Sequence, residues 1–266
     1  MNPFLRADDF PRPGAARRAN SASLIVVVAA RNEAELIGAT LKAVAEAAPG
    51  ARLIVADDAS TDETAQIARA AGAEVVSAPA SRGKGGNVTA ALEVLLADSP
   101  AAPAGDPSLE APGGSEPVVL LCDGDLAGSA RELAALVRAV EQGECDLAVA
   151  AFTRRIGGGL GLARGAGRRA IRRLCGLETE APLSGQRAMR AGALRAVLPF
   201  APGFGMEVGM TVDAVRAGLR VAEVEVDLAH RATGRTVGGF IHRGRQLRDI
   251  ARAYVARRGN RRLRAP

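Results

Sequence analysis

Strand-like and helix-like stretches alternate through residues 24–151, and this rhythm restricts the possible fold more than any other feature. Leu24–Ala30 is a continuous apolar, β-branched run, and Arg52–Ala56, Ala73–Ser77, Val118–Leu121 and Asp146–Ala151 repeat the pattern. Between them lie Ala- and Leu-rich stretches of helical length: about Ala34 to Ala47, a segment ending near Ala71, about Val88 to Ala97, and about Ser129 to Gln142. Unbroken apolar strands separated by helices predict a mostly parallel sheet covered on both faces. Pro49-Gly50 and Gly72 close two helices, and Ser60 or Thr61 can cap the helix after the second strand.

Sheets of this kind bind ligands beyond the carboxyl ends of their strands, so what each strand delivers there matters. The first leads into Arg31-Asn32-Glu33 and the second into Asp57-Asp58-Ala59-Ser60-Thr61-Asp62. After the third comes a basic, glycine-rich turn, Ser81-Arg82-Gly83-Lys84-Gly85-Gly86-Asn87, and the fourth runs into Cys122-Asp123-Gly124-Asp125. Two carboxylates around a glycine suit a divalent cation that bridges the protein to a phosphate-bearing ligand. They suit an ordinary acidic turn as well. The basic turn opens a helix, where phosphates bind, yet it lacks P-loop spacing and also reads as a flexible turn.

The net charge of +6 directs attention to anionic partners: nucleic acid, phosphorylated metabolites or a lipid surface. With no Trp, one Tyr, six Phe and no nucleic-acid-binding motif, little is available to stack on bases, and nucleic acid is set aside. Lys42 and Lys84 are the only lysines among 35 basic residues. Cys122, Cys145 and Cys175 are odd in number and widely spaced, so they read as structural thiols of a reduced compartment. No apolar run approaches the roughly 18 residues of a membrane span. The first residues, with Asp8, Asp9 and several prolines, lack a signal-peptide core, so a cytoplasmic protein is expected.

Residues 1–22 read as a flexible basic arm, and 98–117, rich in Pro, Gly and Ser, as a disordered loop. The second half is richer in Gly and Arg. A basic loop over Phe152–Gly167 leads into a helix near Ala163–Cys175, on which Arg164, Arg168 and Arg172 share one face. That face is either simply solvated or meets an anionic acceptor or a membrane. Pro182–Met189 contains a short strand, the segment Pro199–Gly209 leads into a helix ending near Ala217, and Leu219–Leu228 is an alternating strand ending near His230-Arg231. A last helix runs from about Gly239 to Arg257, giving a reading of one domain over 23–238 and a basic helix and tail over 239–266.

Taken in order, Val26–Glu33, Val55–Thr64, Arg82–Gly85, Leu120–Leu126 and Leu183–Ala188 resemble the motifs of GT-A glycosyltransferases of the family 2 type. Pro199–Gly209 and a histidine after the last strand are similar to the glucosyl-3-phosphoglycerate synthases, a retaining branch. The resemblance covers about residues 22–245 and implies the GT-A fold, a Rossmann-like, mostly parallel sheet flanked by helices. It further implies that Ala30, Arg31 and Glu33 line a nucleotide pocket with Gly124, that Asp58 with Asp57 reads the base, and that Lys84 lies against a diphosphate. By the same resemblance Asp123 approaches ribose and metal, Asp125 is the principal metal ligand, and His230 is a third. The cation is Mg²⁺ or Mn²⁺, a histidine ligand favouring Mn²⁺. Glu207 is the acid expected near sugar and acceptor, either as catalytic base or as a positioning group, although a first-turn helix glutamate stabilised by the dipole is the plain alternative. Ser184, Gly185, Gln186, Arg187 and Arg231 are expected on the acceptor side.

Three departures stand out. Ala29 or Ala30 replaces the usual proline of the first motif, Gln186 replaces a common glutamate, and the Gly/Arg stretch at 156–169 does not align with the phosphoglycerate-binding segment of the synthases. The expected activity is metal-dependent transfer from a UDP- or GDP-sugar to an anionic acceptor. A phosphorylated small acid such as 3-phosphoglycerate is one acceptor; a polyprenyl phosphate, met by the basic C-terminal helix at the inner membrane face, is the other. A sugar-phosphate nucleotidyltransferase is the competing class, although Arg31-Asn32-Glu33 stands where its glycine-rich loop belongs. Homodimer formation is left open.

Overall fold

The structure is a computed structural model that describes residues 4–6, 24–97, 116–152, 161–228 and 237–259; in 4–6, 96–97 and 237–243 it describes the backbone alone. His230 and Arg231 therefore lie outside the described residues, as do nearly all of the 98–117 loop and most of the 1–22 arm.

In chain order the elements are β1 (Phe4–Arg6), β2 (Leu24–Ala30), α1 (Ile37–Ala47), β3 (Arg52–Asp57), α2 (Thr64–Ala70), β4 (Glu74–Ser77) and α3 (Gly83–Ala97). There follow β5 (Val118–Asp123), a 3₁₀ segment (Ala127–Leu133), α4 (Ala134–Glu141), β6 (Leu147–Phe152), α5 (Gly161–Cys175), β7 (Arg187–Arg190) and α6 (Ala191–Val197). A 3₁₀ turn (Gly203–Gly205), α7 (Met206–Arg216), β8 (Val221–Val226) and α8 (Val237–Arg258) complete the set.

Eight strands form one sheet in the order β1-β8-β6-β7-β5-β2-β3-β4. All neighbours run parallel except β7, which is antiparallel to both β5 and β6. The sheet is buried on both sides, as the unbroken apolar strands predict: Val26, Val28, Leu120 and Cys122 pack with α1 and α4, while Val27, Ile54, Val119 and Leu121 pack with α3, α6 and α7. A third cluster joins α5, α7 and α8 through Ala170, Ile171, Leu174, Val208, Val212 and Ile250.

Residues 4–6, read as part of a mobile arm, form β1 and pair with Glu223–Glu225 of β8; three residues carry no periodicity, so nothing in the sequence marks them. The last helix, α8, joins the packed body of the chain. It packs on α5, α7 and the 203–205 turn, and Arg257 clamps Asp213 of α7 at 2.9 and 2.5 Å. Among the described residues no helix is long and apolar enough to cross a membrane.

β2 is the switch point of the topology, since β3 lies on one side of it and β5 on the other, and the crevice opens beyond their carboxyl ends. Register brings the acidic residues there: Ala30 pairs with Asp57 and Ala29 with Asp123. At the usual strand spacing Asp57 and Asp123 stand roughly 10 Å apart, with β2 between them. Because β7 is reversed, the residues that precede it, not those that follow, reach this rim. Leu121 faces Arg187, so Ser184-Gly185-Gln186 arrive beside Asp123.

Candidate active site

The turns after β2 and β3 are laced together. Asn32, in the left-handed region at φ 55°, accepts the Thr61 N–H at 2.8 Å and donates its own N–H to Ser60 Oγ at 2.9 Å. Thr64 Oγ1 accepts the Glu33 N–H at 2.8 Å, and Asp62 accepts the N–H groups of Ala34 and Thr64. Ser60 and Thr61 are thus spent on the neighbouring turn and do not cap α2, whose first turn Asp62 supports.

Asp58 is 6% exposed and grips the loop before α3, accepting Ser81 Oγ–H and the Arg82 N–H, both at 2.7 Å. Arg31 is exposed and donates to Ser81 Oγ at 2.6 Å, with its guanidinium 3.7 Å from Asp58. Asp57 is buried and accepts the Ser60 N–H, and the Ala30 carbonyl accepts the Asp58 N–H. One edge of the crevice is therefore Ala30, Arg31, Asp58 and Ser81, with Glu33 in the turn that leads to α1, its carbonyl accepting the Ile37 N–H.

The Asp123-Gly124-Asp125 turn is braced from beneath by Thr40 of α1. Its hydroxyl donates to the Gly124 carbonyl and accepts the Ala127 N–H, both at 2.8 Å. A side chain at Gly124 would crowd Ile37 and the Ala29 carbonyl. Asp123 and Asp125 are half-buried at the rim. Both donate only oxygen, which fits a hard divalent cation shared with phosphate oxygens. No group of three or more His, Cys, Asp or Glu gathers among the described residues, which do not include His230.

Beside that turn sits a compact charge cluster. Lys84, in the first turn of α3, lies 2.6 Å from Asp123 Oδ1 and 3.0 Å from Glu207 Oε1. Burial alone would pull the ammonium's pKa down, but the two carboxylates more than offset it and hold the pKa above the ordinary lysine value. Gln186 Nε2 donates to the other Asp123 oxygen at 2.7 Å, and Ser184 Oγ donates to Gln186 Oε1 at 3.2 Å. Glu207 opens α7 and is 3% exposed.

Lys84 is seated by glycines. A Cβ at Gly185 would run into the ammonium, and one at Gly85 would run into the Ala201 carbonyl oxygen. The first turn of α3 thus presses on the chain before α7, whose other side is held by α8: Asp249 accepts the Phe204 N–H at 3.4 Å, and a Cβ at Gly205 would lie 2.9 Å from the Asp249 carbonyl oxygen.

Gln186 and Arg187, expected to face an acceptor, are 1% and 0% exposed and brace the site from inside. Arg187 donates to the Ser184 carbonyl and to Thr211 Oγ1, both at 2.9 Å. Burial pushes its pKa down to about 10, and the nearby Glu207 and Glu223 offset part of that. On α5, Arg164 and Arg168 both grip Glu180, at 2.8 and 2.9 Å, so much of that basic face is neutralised within the fold. The three cysteines are free; burial pushes the Cys122 and Cys145 thiols up, Cys145 to about 12, which makes them poor nucleophiles.

Sequence reasoning missed Thr40, Ser81, Asn32, Thr64 and Asp249. Their roles depend on residues from 23 to 87 positions away, and no local pattern signals them.

Comparison with known proteins gives a consistent answer. The glycosyl transferase family 2 model matches residues 25–198. No curated protein matches. Among solved structures, glucosyl-3-phosphoglycerate synthase from Mycobacterium tuberculosis in complex with phosphoglyceric acid superposes with a TM-score of 0.69 at 26% identity, covering 96% of this chain and 87% of that one. The same enzyme with Mn²⁺, uridine diphosphate and glucosyl-3-phosphoglycerate gives 0.69 at 28% identity, over 94% and 86%. With Mn²⁺, UDP-glucose and glycerol 3-phosphate it gives 0.68 at 26%, over 97% and 89%.

Proposed function

The chain belongs to glycosyl transferase family 2, and on that premise we propose that it transfers a sugar from a nucleoside diphosphate sugar to a phosphorylated small acid of the 3-phosphoglycerate kind. One observation carries the reading: the likeness over 94% of the chain to a synthase bound to Mn²⁺, UDP and glucosyl-3-phosphoglycerate. UDP is the favoured nucleotide for the same reason, with GDP the alternative.

In this reading the edge formed by Ala30, Arg31, Glu33, Asp57 and Asp58 takes the nucleoside. Asp123 and Asp125 hold Mg²⁺ or Mn²⁺, with His230 as a further ligand. When bound, the cation supplies positive charge to the leaving diphosphate. Lys84, held beside Asp123 by Glu207, adds a second positive charge within reach of the diphosphate. Glu207 is the acid placed to orient the reacting hydroxyl through the same cluster, and Ser184 and Gly185 form the neighbouring rim. Arg187 supports that rim from below.

The test is direct. UDP or GDP release is followed on mixing the protein with UDP-glucose or GDP-glucose, 3-phosphoglycerate and Mn²⁺. Release that needs the cation and the phosphorylated acid, and that falls by about 10²-fold or more in Asp125→Ala, is expected. No release with any combination would overturn the proposal, and pyrophosphate release from nucleoside triphosphate and sugar phosphate would replace it with nucleotidyl transfer. A second reading, with a polyprenyl phosphate acceptor, draws on the outward face of α8, where Leu247 and Val255 stand exposed among Arg248, Arg252 and Arg258. Retention on membranes that a high-salt wash reverses would favour it.

A further inference from the structure

Asp123 has a carboxylate with both oxygens already engaged, Oδ1 by the Lys84 ammonium at 2.6 Å and Oδ2 by the Gln186 amide at 2.7 Å. We infer that Lys84 and Gln186 hold Asp123 against a divalent cation until a diphosphate draws Lys84 away, so that metal and nucleotide enter as a coupled pair. The inference rests on the functional reading above, in which Asp123 is a metal ligand.

The argument is one of charge and reach. A dication that takes an oxygen of Asp123 must displace the ammonium or share the carboxylate with it, and sharing sets like charges against each other in a half-buried site. Glu207, 3.0 Å from the ammonium, helps to keep it against Asp123 while the site is empty. A diphosphate offers oxygens to the ammonium and to the dication alike, so the carboxylate need not be shared. Lysine suits the exchange because its ammonium sits on a flexible four-carbon stem and can change partners while its backbone stays in the first turn of α3. Gln186 is matched to the task. Its amide donates to Asp123 without adding charge, whereas the glutamate common at this position would repel Asp123 and favour a cation in the absence of nucleotide. Gly185 leaves the ammonium its seat, which a methyl group would fill.

The experiment measures Mn²⁺ binding to the whole protein from the paramagnetic resonance of free Mn²⁺, with and without UDP. The wild type is expected to bind Mn²⁺ weakly alone and far more tightly with UDP. Lys84→Met is expected to bind Mn²⁺ alone about tenfold tighter than the wild type but no tighter with UDP, so that the coupling between the ligands falls about tenfold. If Lys84→Met does not fold, Lys84→Gln, neutral and still able to donate a hydrogen bond, carries the same comparison. Tightening by one factor in both arms would assign the effect to charge acting through space and overturn the exchange, as would coupling equal to that of the wild type. Failure of the wild type itself to bind Mn²⁺ in the presence of UDP would instead overturn the functional reading.

Discussion

Replacing Gly85 by alanine should damage both stability and catalysis, although Ala is the better helix former by about 1 kcal/mol. The new methyl would meet the Ala201 carbonyl oxygen well inside contact distance, with the carbonyl carbon 3.1 Å and Met206 Cβ 3.3 Å away. Neither side can yield cheaply. The 201–205 chain is backed by Asp249 and Ala253 of α8, and α3 is packed on the sheet through Val88, Ala91 and Leu92. Relief takes a shift of roughly 1 Å between α3 and the start of α7, and overpacking of this kind costs about 1–3 kcal/mol. The same shift stretches the Lys84–Glu207 pair from 3.0 Å to roughly 4 Å, weakening its attraction by about 1–1.5 kcal/mol at an effective dielectric constant of about 20. For a chain of this size each kcal/mol lowers Tm by about 2–4 °C, so the overpacking alone should lower it by roughly 2–12 °C. Misplacing a charged group by about 1 Å should lower the nucleotide-release rate by up to about 10²-fold. Gly86→Ala, one residue on, meets only Arg82 Cβ at 3.2 Å and is the control that should stay near wild type. Thermal unfolding and initial rates measured on both variants decide the matter. If Gly85→Ala matches Gly86→Ala in both, the first turn of α3 is not held by the 201–205 chain and the reasoning fails.

Thr40→Val strips the Asp123-Gly124-Asp125 turn of its brace, leaving the Gly124 carbonyl and the Ala127 N–H without their partner; a loss of about 1–3 kcal/mol in urea unfolding is expected, with weaker Mn²⁺–UDP binding by calorimetry. Asp213→Ala removes the clamp on Arg257 and should cost about 1–3 kcal/mol, seen as a lower denaturation midpoint at unchanged slope. The buried thiols set an alkaline limit. Cys145 titrates near 12 in the fold against an ordinary 9.0, so the folded state holds the proton more tightly. Its contribution is complete below pH 9, and stability falls as pH rises from there toward 12. Cys145→Ala should flatten that decline in a series of Tm values. At pH 8 a thiol reagent should label native Cys122 and Cys145 only as fast as the protein unfolds.

Much of the fold was legible because burial on two faces leaves a strong mark: Val26–Val28 and Val118–Leu121 could hardly be anything but central strands. The acids at strand ends were legible for the same reason, since register in a parallel sheet carries Asp57 and Asp123 to one rim. Elsewhere tertiary contacts overrode local preference. The sequence suggests a helix starting near Val88, yet α3 begins at Gly83, because Gly85 fits against Ala201 where a larger residue cannot. Ser60 and Thr61 look like caps and serve instead as anchors for the turn at Asn32. Gln186 and Arg187 were expected on the acceptor side because their motif lies at the rim, and their burial there depends on packing from β5, β6 and α7 that a four-residue run does not encode.

The order in which this chain leaves the ribosome gives the grip of α8 a meaning in time. β2 to β5 can pair once residue 123 has emerged, and the edge formed by Arg31 and Asp58 with them. The turn that sets Glu207 against Lys84 lacks its backing until Asp249 and Ala253 have followed, and β1 waits from residue 4 for Glu223–Glu225 to pass. A nascent chain halted before residue 237 would thus display the edge formed by Arg31 and Asp58 while lacking the support that completes the charge cluster. Catalytic competence should appear late in synthesis, after most of the sheet has formed.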